Sequence, residues 1–264
     1  MTSVLPLLTR IAEARSADAV WQLATGHFAA LGFSRVVYGL SRGQRENTWP
    51  DPASRLFLST LGPDYERHYL HSGFFARTAL YRWAERNEGA CTWSWLPEAM
   101  AKGQLLPEEV EAVRQNREAG IVAGITVAFP RLDARTRAAL GLIADAGLSH
   151  DQVDAIWDGQ RDEILAVAHV MHLALRQHPA SPAEDRLTRR QREALEWVAD
   201  GKTTQDVALL MGVSAAMIEK HLRLAREALD VDTTAQAIAR AVALNLLFPL
   251  RNTGRTYTKE VGNP

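Results

Sequence analysis

Thr203-Thr204-Gln205-Asp206-Val207-Ala208-Leu209-Leu210-Met211-Gly212-Val213-Ser214-Ala215-Ala216-Met217-Ile218-Glu219-Lys220-His221-Leu222 is the stretch on which the reading of this chain turns. Thr203 or Thr204 can cap a helix, and Asp206 is close enough to complete a capping box. Ala208, Leu209 and Met211 then supply an apolar face. Gly212 can hold a tight turn, Val213 can plug a core, and Ser214 can cap a second helix. In that second helix Ile218, Leu222, Ala225 and Leu229 fall on one stripe, while Glu219, Lys220, Arg223 and Arg226 lie off it. Two short helices joined at a glycine turn, the second polar on its outer face, have the geometry that enters a DNA major groove. A small helical bundle without a nucleic-acid role fits the same pattern.

Around this pair the residues 187–248 carry no strand signal, only helical patterns at 188–200, 204–211, 215–229 and 235–247. Before them, His178-Pro179-Ala180-Ser181-Pro182-Ala183-Glu184-Asp185 has linker composition, with prolines and acids closing a long helical segment. The expected division is a domain at 1–178, a linker at 179–186, a second domain at 187–250 and a flexible tail at 251–264. In 264 residues two modest domains fit. With 47% hydrophobic and 23% charged residues the chain has enough apolar side chain for two cores. The net charge of −1 gives no global signal for nucleic acid, so such a signal has to be local. The single cysteine, Cys91, excludes a disulfide framework and a thiolate metal cage. No apolar run is long enough for a bilayer span or a signal peptide, which gives the expectation of a cytoplasmic protein without membrane contact.

The first part mixes both periods. A helical pattern runs over 6–31, strands are expected at 34–40, 55–61, 123–129 and 138–144, and a short extended piece at 91–93. Helices are expected at 64–85, at 107–118 behind Pro107, and at 151–177. The fold class is α+β: an N-terminal α-β-α sandwich with one curved, mostly antiparallel sheet, and a C-terminal four-helix domain.

The C-terminal part resembles the LuxR-type DNA-binding domain. The resemblance rests on Leu187-Thr188-Arg189-Arg190-Gln191, Leu195-Glu196-Trp197-Val198-Ala199-Asp200-Gly201-Lys202-Thr203, Val207-Ala208, Gly212-Val213-Ser214, Ile218, His221-Leu222, Leu229 and Ala237, without a gap. It implies a dimeric helix-turn-helix module on a double-stranded operator. Lys202, Thr203, Ser214, Glu219, Lys220 and Arg223 are the candidate DNA-contacting residues. The resemblance makes the last helix the dimer contact, through Ile238, Ala241, Val242 and Leu246; closing the domain core is the other role open to them. Gln191 and Met217 depart from the family's usual acid and threonine, and the loop 230–234 lacks its basic residues. Eight bases balance eight acids over 187–248, so non-specific affinity for phosphate is expected to be modest and dimer-dependent. Glu219 can accept from a cytosine amine, or pair with Arg223 one turn on, which is the default expectation.

The N-terminal part resembles the autoinducer-binding domain of quorum-sensing LuxR-type receptors. Tyr65-x-x-His68-Tyr69, Gly73-Phe74, Thr92-Trp93-Ser94 and Gly120-Ile121-x-x-Gly124-Ile125-Thr126-Val127 carry the likeness. It implies a small-molecule signal between sheet and helices, an acyl-homoserine lactone or related amphiphile, with no further cofactor. The candidate ligand-binding residues are Leu61, Tyr65, Tyr69, Thr78, Trp93 and Gly124. Tyr69, Trp93 and Gly124 match the family. Tyr65 stands where it has a tryptophan that donates to the lactone carbonyl, Leu61 where a tyrosine is common, and Thr78-Ala79 where it has Asp-Pro. A threonine hydroxyl accepts a ligand N–H more weakly than a carboxylate.

Three readings follow: a ligand-responsive homodimeric regulator; a ligand-independent or non-lactone regulator, or an antagonist that heterodimerises with related receptors; and an enzyme. The last lacks any catalytic constellation, phosphate loop or zinc spacing. His169-x-x-His172 shares a helix face but has no third ligand nearby, so no metal site is expected. The loop Trp49-Pro50-Asp51-Pro52 is a candidate cover for the pocket.

Overall fold

The computed structural model describes residues 3–41, 55–131, 136–177 and 187–248. The expected linker at 179–186, the tail at 251–264 and the loop at 49–52 lie outside the described residues. The chain divides into two compact units at Arg176/Gln177.

In the first unit the helical pattern over 6–31 resolves into two helices, α1 (Leu5–Ala12) and α2 (Ala17–Ala30). The break falls at Ser16, whose extended backbone and side-chain hydroxyl cap α2 by accepting from the Ala19 N–H at 3.1 Å. Five strands follow: β1 (Arg35–Ser41), β2 (Arg55–Ser59), β3 (Gly89–Thr92), β4 (Gly124–Ala128) and β5 (Arg137–Ile143). They form one antiparallel sheet in the order β2-β1-β5-β4-β3. The long α7 (His150–Leu175), opened by a Ser149/Gln152 capping box, lies with α1 and α2 on one face. The other face carries the short α3 (Pro63–Glu66), α4 (Ala79–Arg86), α5 (Trp95–Ala101) and α6 (Pro107–Glu118). This is the expected α-β-α sandwich.

Strand alternation assigns the two faces. Val36, Tyr38, Leu40, Ile125, Val127, Leu140 and Leu142 share one face and are buried. On that side the Tyr38 hydroxyl and His172 Nδ1 of α7 share a hydrogen bond of 2.9 Å, and the His172 ring stacks on Phe129 with centroids 4.1 Å apart. His169 Nδ1 lies 2.8 Å from the Leu165 carbonyl oxygen. The histidine pair thus serves packing and helix contacts; among the described residues no His, Cys, Asp or Glu cluster is suited to a metal ion. No described helix is long and apolar enough to cross a membrane.

One expectation fails. The segment 64–85 is not a single helix: α3 runs into a π-turn at Arg67–His71, then a 3-10 turn at Phe74–Arg77, and only then α4. Gly73 sits between the turns at φ 68°, and Thr78 is extended and caps α4. Left-handed and extended residues cannot continue a helix. The consequence is functional, because the broken segment folds its aromatic residues over the sheet.

The second unit consists of α8 (Arg189–Ala199), α9 (Thr204–Met211), α10 (Ala215–Ala228) and α11 (Thr234–Ala243). Each starts at a Ser or Thr whose hydroxyl accepts a first-turn N–H: Thr188, Thr203, Ser214 and Thr233. Gln191 closes the first capping box by accepting from the Thr188 N–H at 2.8 Å, so an amide does at this position what an acid would do. Gly212 ends α9 in the left-handed region at φ 66°. Leu187, Leu195, Val207, Ile218, Leu222, Leu229, Ala237, Ala241 and Leu246 fill a common core.

Candidate ligand pocket and nucleic-acid interface

On the α3–α6 side of the sheet there is a cavity of about 190 Å³. Its floor follows from cross-strand register. Phe57, Gly39, Ala139 and Ala128 stand in one row across β2, β1, β5 and β4; Ser59, Val37, Gly141 and Thr126 stand in the next. The two rows place Gly39, Ala139 and Gly141 side by side in the lining. Three neighbouring positions with at most a methyl leave room that Val, Ile or Leu would fill.

The roof is aromatic. Tyr65 and Tyr69, one helical turn apart, stack at 5.4 Å between centroids; Tyr69 also stacks on Phe57 at 5.7 Å and meets Phe75 at 5.7 Å. Burial pushes the Tyr69 phenol up to about 12. Burial also raises Tyr65, helped by Tyr69 and opposed by the Arg35 guanidinium. Both phenols are therefore neutral around pH 7, each with an O–H to donate.

Trp93 closes one end. Its indole N–H donates to Thr126 Oγ1 at 2.9 Å. The ring lies against Gly124, where a methyl would meet Trp93 ring carbons at 3.0 Å and the Leu142 carbonyl oxygen at 2.4 Å. Thr78 is buried; its hydroxyl donates to the Phe75 carbonyl at 2.8 Å and accepts from the Tyr81 N–H at 3.1 Å. Arg82 and the buried Glu109 form a two-pronged ion pair, 2.6 and 2.7 Å, that ties α4 to α6. The far end is polar, with Ser41, Glu85, Arg131 and Arg137 in the lining.

Of the expected ligand residues, Tyr65, Tyr69, Thr78 and Trp93 line this cavity. Leu61 does not; it packs against the apolar cluster of Val37, Leu96 and Ile143. Gly124 is not in the lining either, and instead seats Trp93. Thr126, Phe57, Phe75, Tyr81, Arg131 and Arg137 were not anticipated from sequence. A hydroxyl inside the apolar run Gly124–Ala128 was the one signal for Thr126. Cys91, paired with Thr126 across β3 and β4, is pushed up to about 11 by burial, and its thiol is neutral around pH 7.

In the second unit Lys202, Thr203, Ser214, Glu219, Lys220 and Arg223 are all exposed. Lys202 and Thr203 stand at the start of α9, Ser214 at the α9–α10 turn, and Glu219, Lys220 and Arg223 along α10. Thr203 and Ser214 use their hydroxyls as helix caps. The Thr203 hydroxyl donates to Asp206 at 2.7 Å, and this bond with the Thr203 N–H holds the Asp206 carboxyl below its usual range. Glu219 does not pair with Arg223. It accepts from the Thr204 hydroxyl at 2.9 Å, linking α10 to α9, while Arg223 reaches the other way to Glu227. Residues four apart on a helix are equally placed in both directions, and the Thr204 hydroxyl competes for Glu219. Lys202 and Lys220 make no ion pair among the described residues. On α11 and just beyond it, Ala241 and Leu246 are buried and Ile238 packs against the core; Val242 alone of the four expected contact residues is exposed, at 49%.

Residues 16–175, more than half of the chain, match the autoinducer binding domain family, and residues 185–229 match the sigma-70 region 4 family. The transcriptional activator protein AnoR of Acinetobacter nosocomialis is 41% identical over 61 residues, 23% of this chain and 26% of AnoR. The match thus spans about a quarter of the length of that relative. The crystal structure of Escherichia coli SdiA aligns over 92% of this chain and 97% of SdiA, with TM-score 0.53 and 17% identity. A second SdiA structure, in complex with octanoyl-rac-glycerol, gives 0.52 at 17% identity over 91% of this chain and 93% of that one. The N-acylhomoserine lactone dependent LuxR family transcription factor CepR2 of Burkholderia cenocepacia gives 0.52 at 18% identity, over 65% of this chain and 92% of that one. At these identities the structural likeness is one of fold.

Proposed function

We propose, from the premise that this chain belongs to the autoinducer-binding-domain family, that it is a cytoplasmic, quorum-sensing type transcription regulator controlled by a small amphiphile. The first unit binds the signal, and the second binds double-stranded DNA as a homodimer. The observation that carries the reading is the cavity itself: an aromatic roof over a floor of small residues, with polar groups gathered at one end. Such a site suits a ligand with a long apolar part and a small polar head. Lys202, Lys220 and Arg223, presented on and before an exposed α10, support the DNA role. With charges balanced in the second unit, two copies on one site supply the phosphate contacts that one lacks.

A non-lactone ligand is favoured over a homoserine lactone by Thr78, which stands where the family has its amide-accepting aspartate and whose hydroxyl is already engaged within the protein. The Trp93 N–H is engaged as well. The remaining donors facing a ligand are Tyr65 and Tyr69, and the polar end of the cavity.

The test selects operators from a pool of random duplexes with the full chain at low salt, with and without acyl-homoserine lactones, long-chain acids and acylglycerols. Melting is followed in parallel, since a ligand of the native state alone must raise the melting temperature. A duplex motif enriched with one ligand class, together with a raised melting temperature, is the expected result. No enriched motif at any salt would overturn the DNA role, and flat melting with every class would overturn the signal.

A further inference from the structure

The polar end of the cavity has a composition that a neutral ligand does not need. Arg137 begins β5 and is the cross-strand partner of Ser41, the last residue of β1. Alternation puts both on the face that carries Gly39, Ala139 and Gly141, the cavity floor. Arg137 is half-buried, and its guanidinium donates to the carbonyl of its own neighbour, Thr136, at 3.0 Å. Arg131, at the rim, turns its guanidinium to the backbone carbonyl of Glu85. Its backbone N–H, not its side chain, meets the Glu88 carboxylate at 3.0 Å. Among the described residues neither arginine pairs with a carboxylate. The Ser41 hydroxyl oxygen is buried and has no hydrogen-bond partner. Two guanidiniums without an acid partner among the described residues, the half-buried Arg137 above all, favour negative charge.

Apart from Glu85, the rest of the described lining is uncharged. Thr78 stands at the head of α4 with its hydroxyl engaged, and Tyr65 and Tyr69 are neutral. Glu85, at the rim, is the one carboxylate in the described lining. Arg137 and Ile143 both line the cavity and are six residues apart on β5. That separates the cationic end from the Trp93 end by about 20 Å at a strand's rise per residue, with the Phe57–Tyr69 stack between them.

We infer that the ligand of this cavity is an anionic amphiphile, a long-chain acyl carboxylate whose head is bound by Arg137, Arg131 and the Ser41 hydroxyl and whose chain lies under Tyr65, Tyr69 and Trp93. The inference rests on the ligand-binding reading above and deepens it. Arg137 is the residue that sets specificity, since a guanidinium matches a carboxylate in a planar, two-bond geometry.

The test compares two compounds that differ only at the head: an N-acyl-homoserine lactone and its ring-opened N-acyl-homoserine, whose head is a carboxylate. Calorimetric titration of the full chain is run with each, over a series of acyl lengths. The acid is expected to bind at least about tenfold tighter, the scale of one charge-assisted hydrogen bond. Arg137→Gln is expected to erase most of that preference, and Arg137→Lys to restore part of it. Both variants are checked for native melting in the absence of ligand. Where Arg137→Gln does not fold, the preference of the unmodified chain is measured from low to high salt, and it is expected to shrink as screening rises. A lactone that binds as tightly as its acid, or a preference untouched in a folded Arg137→Gln chain, would overturn the anionic reading and leave the amphiphile reading standing. Binding of neither compound at any length would overturn both.

Discussion

The two units are put together by different kinds of information. In the helical unit every helix begins at a hydroxyl that caps it three residues on, and the turn between α9 and α10 is fixed by one left-handed glycine. These signals lie within a few residues of what they determine. In the sandwich the cavity exists because Gly39 meets Ala139, and because Ser41 meets Arg137, across about a hundred residues of chain. A unit specified locally tolerates a local fault locally. A unit specified by register passes a fault to everything stacked on it.

The same substitution in both units sharpens this most. Gly124→Ala places a methyl 2.4 Å from the Leu142 carbonyl oxygen and 3.0 Å from the Trp93 ring. A backbone oxygen in the middle of a sheet cannot move alone, so about 3 kcal/mol of the sandwich's stability is expected to go. Gly212→Ala meets nothing within 4 Å and carries only the left-handed backbone penalty, about 1–2 kcal/mol. Peptide-resolved hydrogen exchange on the full chain reads both. Protection should fall throughout β3, β4 and β5 in the first variant, and only around α9 and α10 in the second. Equal, local losses in both would break the distinction.

The next largest effect comes from pH, and it divides the units by composition. Buried Tyr69, held up to about 12 from an ordinary 10, keeps its proton in the folded state while an unfolded tyrosine ionises. Its contribution is in place below pH 10 and is lost as pH rises through about 12. Tyr65 and Cys91 shift in the same direction. The described helical unit, residues 187–248, contains neither tyrosine nor cysteine. Asp206, depressed below 3.8, acts there at the other extreme: its contribution is in place above that value and goes as pH falls through the folded value. Phenolate absorbance and exchange protection should therefore show the sandwich opening first in alkali. Alkaline loss beginning in the helical unit would contradict this.

How much was legible follows the same line. The caps at Thr203 and Ser214, Gly212, and the strands around 123–129 and 138–144 could be read because propensity and alternation act over short windows. The misreading of 64–85 as one helix arose because Tyr65 and Tyr69 have helical spacing, while Gly73 and Thr78, which break the segment, look unexceptional in sequence. Tyr65, Tyr69, Thr78 and Trp93 reached the cavity through family likeness. Ser41, Arg131 and Arg137 were beyond sequence reasoning altogether, because nothing near Arg137 states that Ser41 will stand beside it. The Glu219–Arg223 pairing failed for a related reason: Thr204, fifteen residues away, competes for the carboxylate.

Thr203→Ala tests the local side of the comparison at a smaller scale. It removes the hydroxyl that accepts from the Asp206 N–H and donates to the Asp206 carboxylate. Loss of an N-cap threonine costs about 1 kcal/mol. Exchange should quicken in the first turn of α9, and Thr203→Ser should restore it. Protection lost as far away as α8 and α11 would mean that the helical unit, too, depends on distant support.

The smallest expected change in stability is the most informative about function. Arg223 is more than half exposed and pairs with Glu227 one turn on. Exposed pairs at this spacing contribute about 0.3–0.5 kcal/mol, so Arg223→Gln should leave melting and exchange almost unchanged. If α10 lies in the groove, the same change removes one cation from the DNA, and the slope of log affinity against log salt should fall by about 1 per protomer. The charge balance of this unit makes that a large fraction of the whole slope. Glu219→Gln supplies the matching control on the same helix: it removes a negative charge that is turned toward Thr204, and it should raise affinity at low salt without changing the fold. A slope that stays the same in Arg223→Gln would confine Arg223 to its pairing with Glu227 and move the reading surface toward Lys202, just before α9, and Lys220, on α10, two exposed bases that have no ion-pair partner among the described residues.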